Sequence, residues 1–106
     1  MTYANANQKT DQYLVQKIMT ASSEELVAYV YNYGATACMK KDADQARKAV
    51  QLLISNLNFD VKDISVTFYN VYRYLQHLIN WKKFSEAQAI FVELRDTWKK
   101  AFKLNV

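Results

Sequence analysis

Residues 20–41 read TASSEELVAYVYNYGATACMKK, and the conformation of this stretch decides the fold. Ser22 and Glu25 stand at capping-box spacing, where a hydroxyl and a carboxylate each satisfy a backbone N–H that the first helical turn leaves unpaired. Leu26, Val30, Tyr33 and Ala37 then recur three and four apart, which places them on one face of a helix over 23–41. Lys40 and Lys41 close it, complementing the negative end of the helix dipole. Gly34 falls inside this helix at a cost of about 1 kcal/mol relative to Ala. Two returns are open for that loss: a neighbouring helix packed close to the bare backbone, or a groove left for a partner's side chain. Tyr29, Tyr31 and Tyr33 point in three directions, so at least one must reach the surface.

The same reading extends outward in both directions. Asp42 and Asp44 open ADQARKAVQLLISNLN, with Ala46, Val50, Leu53 and Leu57 as its stripe and Asn56 and Asn58 at its exit. Asp60 or Asp63 caps ISVTFYNVYRYLQHLINW, whose stripe is Ile64, Phe68, Val71, Leu75 and Leu78, broadened by Tyr72 and Ile79. Ser85 and Gln88 repeat the capping-box spacing ahead of Ala87, Phe91, Leu94, Trp98 and Ala101. Apolar residues recur three and four apart rather than alternating, Pro is absent and Gly34 is the single Gly, so the class is all-α. Connections of a few residues force consecutive helices antiparallel, which predicts an up-down four-helix bundle over residues 21–106. Residues 1–12 lack apolar periodicity, while Leu14 with Ile18 and Val15 with Met19 form one short amphipathic piece. Too short to hold as a helix alone, it predicts a mobile N-terminal segment over residues 1–20.

Composition narrows the function by exclusion. One chain of 106 residues, 51% hydrophobic and 23% charged, is a single globular domain. Eight Tyr, five Phe and two Trp suit either a core of large side chains or a contact surface. Residues 81–106 hold six Lys or Arg against three acids, but the acids alternate with the bases as on a solvated helix face, so nucleic acid is not the expected partner. Cys38 permits no internal disulfide and is expected to be a small buried apolar residue. The polar N-terminus resembles no signal peptide, and the run LVAYVY at 26–31 is far short of a span, so a cytoplasmic protein without membrane insertion is expected. His77 is the single histidine, and no Gly-rich phosphate loop, G-x-S-x-G or C-x-x-C is present. Neither an enzyme, nor a cofactor, nor a metal site is expected.

The order of these segments carries a resemblance. TASSEEL followed by VY, then LISNLN, YNVYRYL and finally ELRDTWKKA occur as they do in the flagellar export chaperones of the FliS family, which the chain resembles over residues 13–101. LRDTW, and Tyr13 seven residues ahead of Thr20, are its more specific parts. The resemblance implies an antiparallel bundle that binds the disordered C-terminal segment of flagellin in the cytoplasm. It implies that binding prevents premature polymerisation and assists delivery to a component of the type III export gate. By motif position it implies partner contacts at Tyr13 and Ile18 in the segment that covers the groove, and at Leu26, Val30 and Tyr31 on the first bundle helix. Ile54, Leu57 and Asn58 follow on the second, and Tyr72 and Leu75 on the third. Trp98 matches the closing aromatic and, by resemblance, belongs to the core. Two rival readings are a basic bundle that binds nucleic acid and a structural bundle that self-associates, as a homodimer, through its Tyr surface.

Overall fold

The computed structural model describes residues 21–57 and 62–106, which form four helices and, among the described residues, no strand. They are α1 Ser23–Met39, α2 Ala43–Ser55, α3 Lys62–Asn80 and α4 Phe84–Phe102. The expected N-terminal segment with Tyr13 and Ile18, together with Asn58 and Asp60, lies outside the described residues.

Helix starts follow local chemistry in two cases and depart from it in two. At α1 the capping box forms, with Glu25 N–H donating to Ser22 Oγ at 3.1 Å and Ser22 N–H donating to Glu25 Oε1 at 3.4 Å. Asp42 caps α2 by accepting from Gln45 N–H at 3.1 Å. Asp63, however, sits within the first turn of α3 instead of capping it. Ser85 does not cap α4, which begins one residue earlier with Lys83 at the cap position and no side-chain cap bond. The reason is the tight join with α3: Lys83 N–H donates to Leu78 O at 2.8 Å while Lys83 O accepts from Ala87 N–H at 3.1 Å. One residue thus closes α3 and opens α4, leaving Ser85 already inside the helix. With the single Gly used elsewhere, α1, α3 and α4 each end on a left-handed lysine, Lys41, Lys82 and Lys103.

Each helix packs on its sequence neighbours, and α4 returns to α1 in the broadest contact of the four. α1 and α3 therefore face each other across the diagonal of an antiparallel bundle. Its core joins Tyr31, Cys38, Val50, Leu53, Tyr72, Leu75, Leu78, Ile79 and Phe91. The expected α1 stripe is turned: Tyr33 is exposed, while Ala28, Tyr31, Ala35 and Cys38 face inward. Tyr33 lies two residues and so about 200° from Tyr31 around a helix. The rotation follows from the small residues Gly34, Ala35 and Ala37, which pack more closely than a large stripe would allow. Ile64 also departs from its expected stripe, being 59% exposed at the first turns of α3.

Gly34 marks a close approach of α1 and α4. A Cβ built there would stand within 3.0 Å of ring carbons of Phe91 on α4, which itself is fully buried. Of the two returns for the helical Gly, close packing is the one realised. Buried small residues gather at the same end of the bundle: Ala35, Ala37 and Cys38 on α1, Ala46 and Ala49 on α2, and Ala87 on α4. Interaxial distance follows the size of the contacting side chains, so the helices close tightly at this end.

Gly34→Ala sets two magnitudes against each other. Helix propensity favours Ala by about 1 kcal/mol, whereas overpacking a closed core costs about 1–3 kcal/mol. Since the Phe91 ring has no solvent side to move toward, overpacking wins and the variant is expected to lose up to about 2 kcal/mol in urea unfolding. Adding Phe91→Leu should recover part of the loss relative to Phe91→Leu alone. A Gly34→Ala protein more stable than its parent would contradict the close approach.

Candidate functional site

At the opposite end the helices carry large side chains and stand apart. Between the start of α1, the end of α2, the start of α3 and the end of α4 lies a cleft of about 740 Å³. Its walls include Leu26, Val27 and Val30 from α1, Leu53 and Leu57 from α2 and its exit, Ile64 and Phe68 from α3, and Leu94, Trp98 and Phe102 from α4. None of its lining residues is charged; Ser23, Asn56, Ser65 and Thr97 provide the polar exceptions beside Tyr72.

Trp98 organises this end. Its Nε1–H donates to the carbonyl oxygen of Glu24 at 2.8 Å, tying the last turns of α4 to the first turn of α1. Its ring meets Tyr31 and Phe68 edge-on, with centroids 6.0 and 6.1 Å away, and lies 4.7 Å from Phe102. Such tilted and edge-to-face contacts are the favourable arrangements of aromatic quadrupoles. Only half-buried, Trp98 is both the edge of the core and a wall of the cleft. The indole is anchored by its polar atom while part of its ring lines the cleft.

Beneath it, Tyr31 and Tyr72 share a hydrogen bond of 2.7 Å between their hydroxyls, both residues being buried. The bond joins α1 to α3 across the bundle diagonal. Desolvation by burial raises both phenols above the ordinary tyrosine range; at Tyr31 the partner's charge and hydroxyl add to the effect, whereas at Tyr72 the shared hydrogen bond partly offsets it. Tyr72 reaches the cleft wall and Tyr31 does not. The cleft therefore has an apolar rim of aliphatic and aromatic groups over a floor with a paired hydroxyl.

Among the residues expected to meet a partner, Leu26, Val30, Leu57 and Tyr72 come together on this cleft. Tyr31 and Leu75 are fully buried core residues that no partner reaches in this conformation. Ile54 packs half-buried against the core outside the cleft lining. Tyr13, Ile18 and Asn58 are not among the described residues. Trp98, expected in the core, is a wall; Val27, Phe68, Leu94 and Phe102 are further lining residues that motif position did not single out. Their signal was present in the helical spacing, since Leu94, Trp98 and Phe102 are each four apart and share one face.

Other chemistry is sparse here. Cys38 is buried, and burial pushes its thiol up to about 11, away from nucleophilic reactivity. His77 stacks on Trp81 on the surface, apart from the core that holds Cys38. Among the described residues no group of three or more His, Cys, Asp or Glu is placed to hold a metal ion. No family model, curated protein or solved structure matches the chain. The resemblance to the flagellar export chaperones accordingly stands on the sequence segments themselves.

The tyrosine pair predicts how stability responds to alkali. An unfolded tyrosine loses its proton near pH ~10, whereas the folded pair, with pKa values raised, holds its protons to higher pH. The stability this contributes is present in full below pH ~10 and is lost as pH rises above it. The urea midpoint should therefore fall between pH 9 and pH 11, by roughly those bounds, and fall less in a Tyr31→Phe/Tyr72→Phe protein. Equal declines in the two proteins would show that the pair does not control alkaline unfolding.

Proposed function

We propose that the chain is an export chaperone for a flagellin-type protein, holding the disordered C-terminal segment of that client in the cleft. One observation carries the reading: an uncharged apolar cleft bounded by all four helices, on which Leu26, Val30, Leu57 and Tyr72 converge. These are residues to which the family resemblance assigns client contact. Helix-in-groove recognition requires this kind of surface, because an amphipathic segment presents anchors three or four residues apart and needs a wall of apolar groups to receive them. A client disordered on its own loses chain entropy on binding, so the apolar area it covers has to be large. Export-gate delivery and a cytoplasmic location belong to the same proposal. By holding the segment, the chaperone removes it from the contacts that a polymerising subunit would make.

The resemblance also places residues 1–20 in competition with the client. A site covered part of the time has its apparent affinity reduced by the fraction covered.

The test is a titration with a flagellin C-terminal peptide, followed by calorimetry and far-ultraviolet circular dichroism. The peptide should gain helix, and its affinity should change little up to about 0.5 M salt because the cleft holds no charge to screen. Val30→Asp, at a half-buried wall position, should weaken binding at least about tenfold while the bundle stays folded. Deleting residues 1–19 should raise affinity. Failure of the parent to bind any flagellin peptide would overturn the reading, and binding that collapses with salt would favour the nucleic-acid alternative.

A further inference from the structure

The two most exposed large apolar side chains among the described residues are Met39, 62% exposed, and Trp81, 63% exposed. Both stand at the tightly packed end of the bundle, opposite the cleft. Met39 ends α1 and Trp81 follows α3, and in each turn the apolar residue is followed by two exposed lysines, Lys40 and Lys41 or Lys82 and Lys83. The bundle is tied at this end: Arg47 near the start of α2 donates from Nε to Asn80 Oδ1 at 3.0 Å, next to Trp81. Lysines at helix C-termini complement the dipole, which accounts for Lys40 and Lys82 but not for Lys83, at the cap position of α4. It does not account for a Trp and a Met turned to solvent beside them.

Charge at this end has a positive excess, with Glu86 exposed in the first turn of α4 as a further acid. Asp42 is committed to capping α2, and Asp44 pairs with Arg47 at 3.1 Å. Lys40, Lys41, Lys82 and Lys83 enter no ion pair among the described residues. Trp81 is held outward by stacking on His77, with centroids 5.6 Å apart and rings 25° from parallel. The end thus presents two exposed apolar side chains, each followed in its turn by two exposed lysines, with the cleft at the far side of the molecule.

We propose that this end is a peripheral docking face for an anionic phospholipid surface. Three classes of partner carry the complementary negative charge, and side-chain chemistry separates them. Protein interfaces are depleted in Lys and favour Arg, and phosphate recognition in nucleic acids draws on Arg as a bidentate donor. Here the unpaired cations are all lysine, and the one arginine is bound to Asp44 and Asn80. Trp with Lys is the pairing suited to a lipid headgroup layer, where the indole lies at the boundary and the flexible ammonium groups reach the phosphates. The contact is reversible and superficial, since no described helix is long and apolar enough to cross a membrane. It does not rest on what fills the cleft.

The full chain is sedimented with vesicles of phosphatidylcholine, with and without phosphatidylglycerol. It should partition onto the anionic vesicles alone and be released by salt near 0.5 M, where the Debye length is only about 4 Å. Lys82→Gln/Lys83→Gln should reduce partition about tenfold or more, while Lys99→Gln/Lys100→Gln, at the cleft end, should leave it within about twofold. Trp81→Ser should weaken binding and abolish the part of the fluorescence quenching by brominated lipid that Trp81 supplies. Val30→Asp should bind vesicles as the parent does, which separates this face from the cleft. Equal partition onto neutral vesicles, absence of partition, or indifference to the Lys82 and Lys83 changes would overturn the proposal. Capture by polyglutamate or single-stranded RNA without capture by vesicles would overturn it in favour of an acidic protein or a nucleic acid.

Discussion

The absence of one side chain, at Gly34, sets the shape of this bundle. Because α1 offers bare backbone there, the Phe91 ring of α4 settles against it, and the two helices with the broadest contact in the molecule are brought together at one level. Ala35, Ala37, Ala46, Ala49 and Ala87 are small buried residues packed around this contact. Helices of this length are stiff, so a close approach near the middle of the bundle and bulky side chains beyond it leave the cleft end wider. Leu26, Val27, Val30, Phe68, Leu94 and Trp98 occupy the wide end, where they line a cleft instead of filling it. The cleft is thus a consequence of how size is distributed along the helices.

Holding a cleft open in water requires fixed walls, because an apolar surface left exposed favours collapse. Two polar contacts provide that restraint. The bond from Trp98 Nε1–H to Glu24 O ties α4 to the start of α1, and the Tyr31–Tyr72 bond ties α1 to α3. Each pairs a group whose burial would otherwise be costly, so the geometry that satisfies it is favoured over alternatives that break it. This gives Trp98 two duties that the primary structure alone presents as alternatives. Its NH secures the fold, and its ring contributes to the cleft.

Much of this was legible in the order of residues. Capping at Ser22 with Glu25 and at Asp42, the four helices, most of their apolar stripes and the burial of Cys38 all follow from spacing. What was not legible depends on packing between segments distant in sequence. Tyr33 rather than Tyr31 completes the apparent stripe of α1, because periodicity weighs large apolar residues and overlooks that Gly and Ala form the closer face. Ser85 has the spacing of a cap, yet the join at Lys83 starts the helix before it. Leu75 and Tyr31 fall on helices that border the cleft but point to the core, a distinction of direction that the choice of helix cannot supply.

The central claim, that the wide end of the bundle is the place where a client binds, is tested most directly by methyl nuclear magnetic resonance of the labelled protein during peptide addition. The account predicts that the methyl signals of Val27, Val30, Leu57 and Ile64 shift with the titrated flagellin segment, while those of Ala46, Ala49 and Ala87 at the closed end remain in place. Shifts confined to the closed end, or spread evenly over both ends, would contradict it.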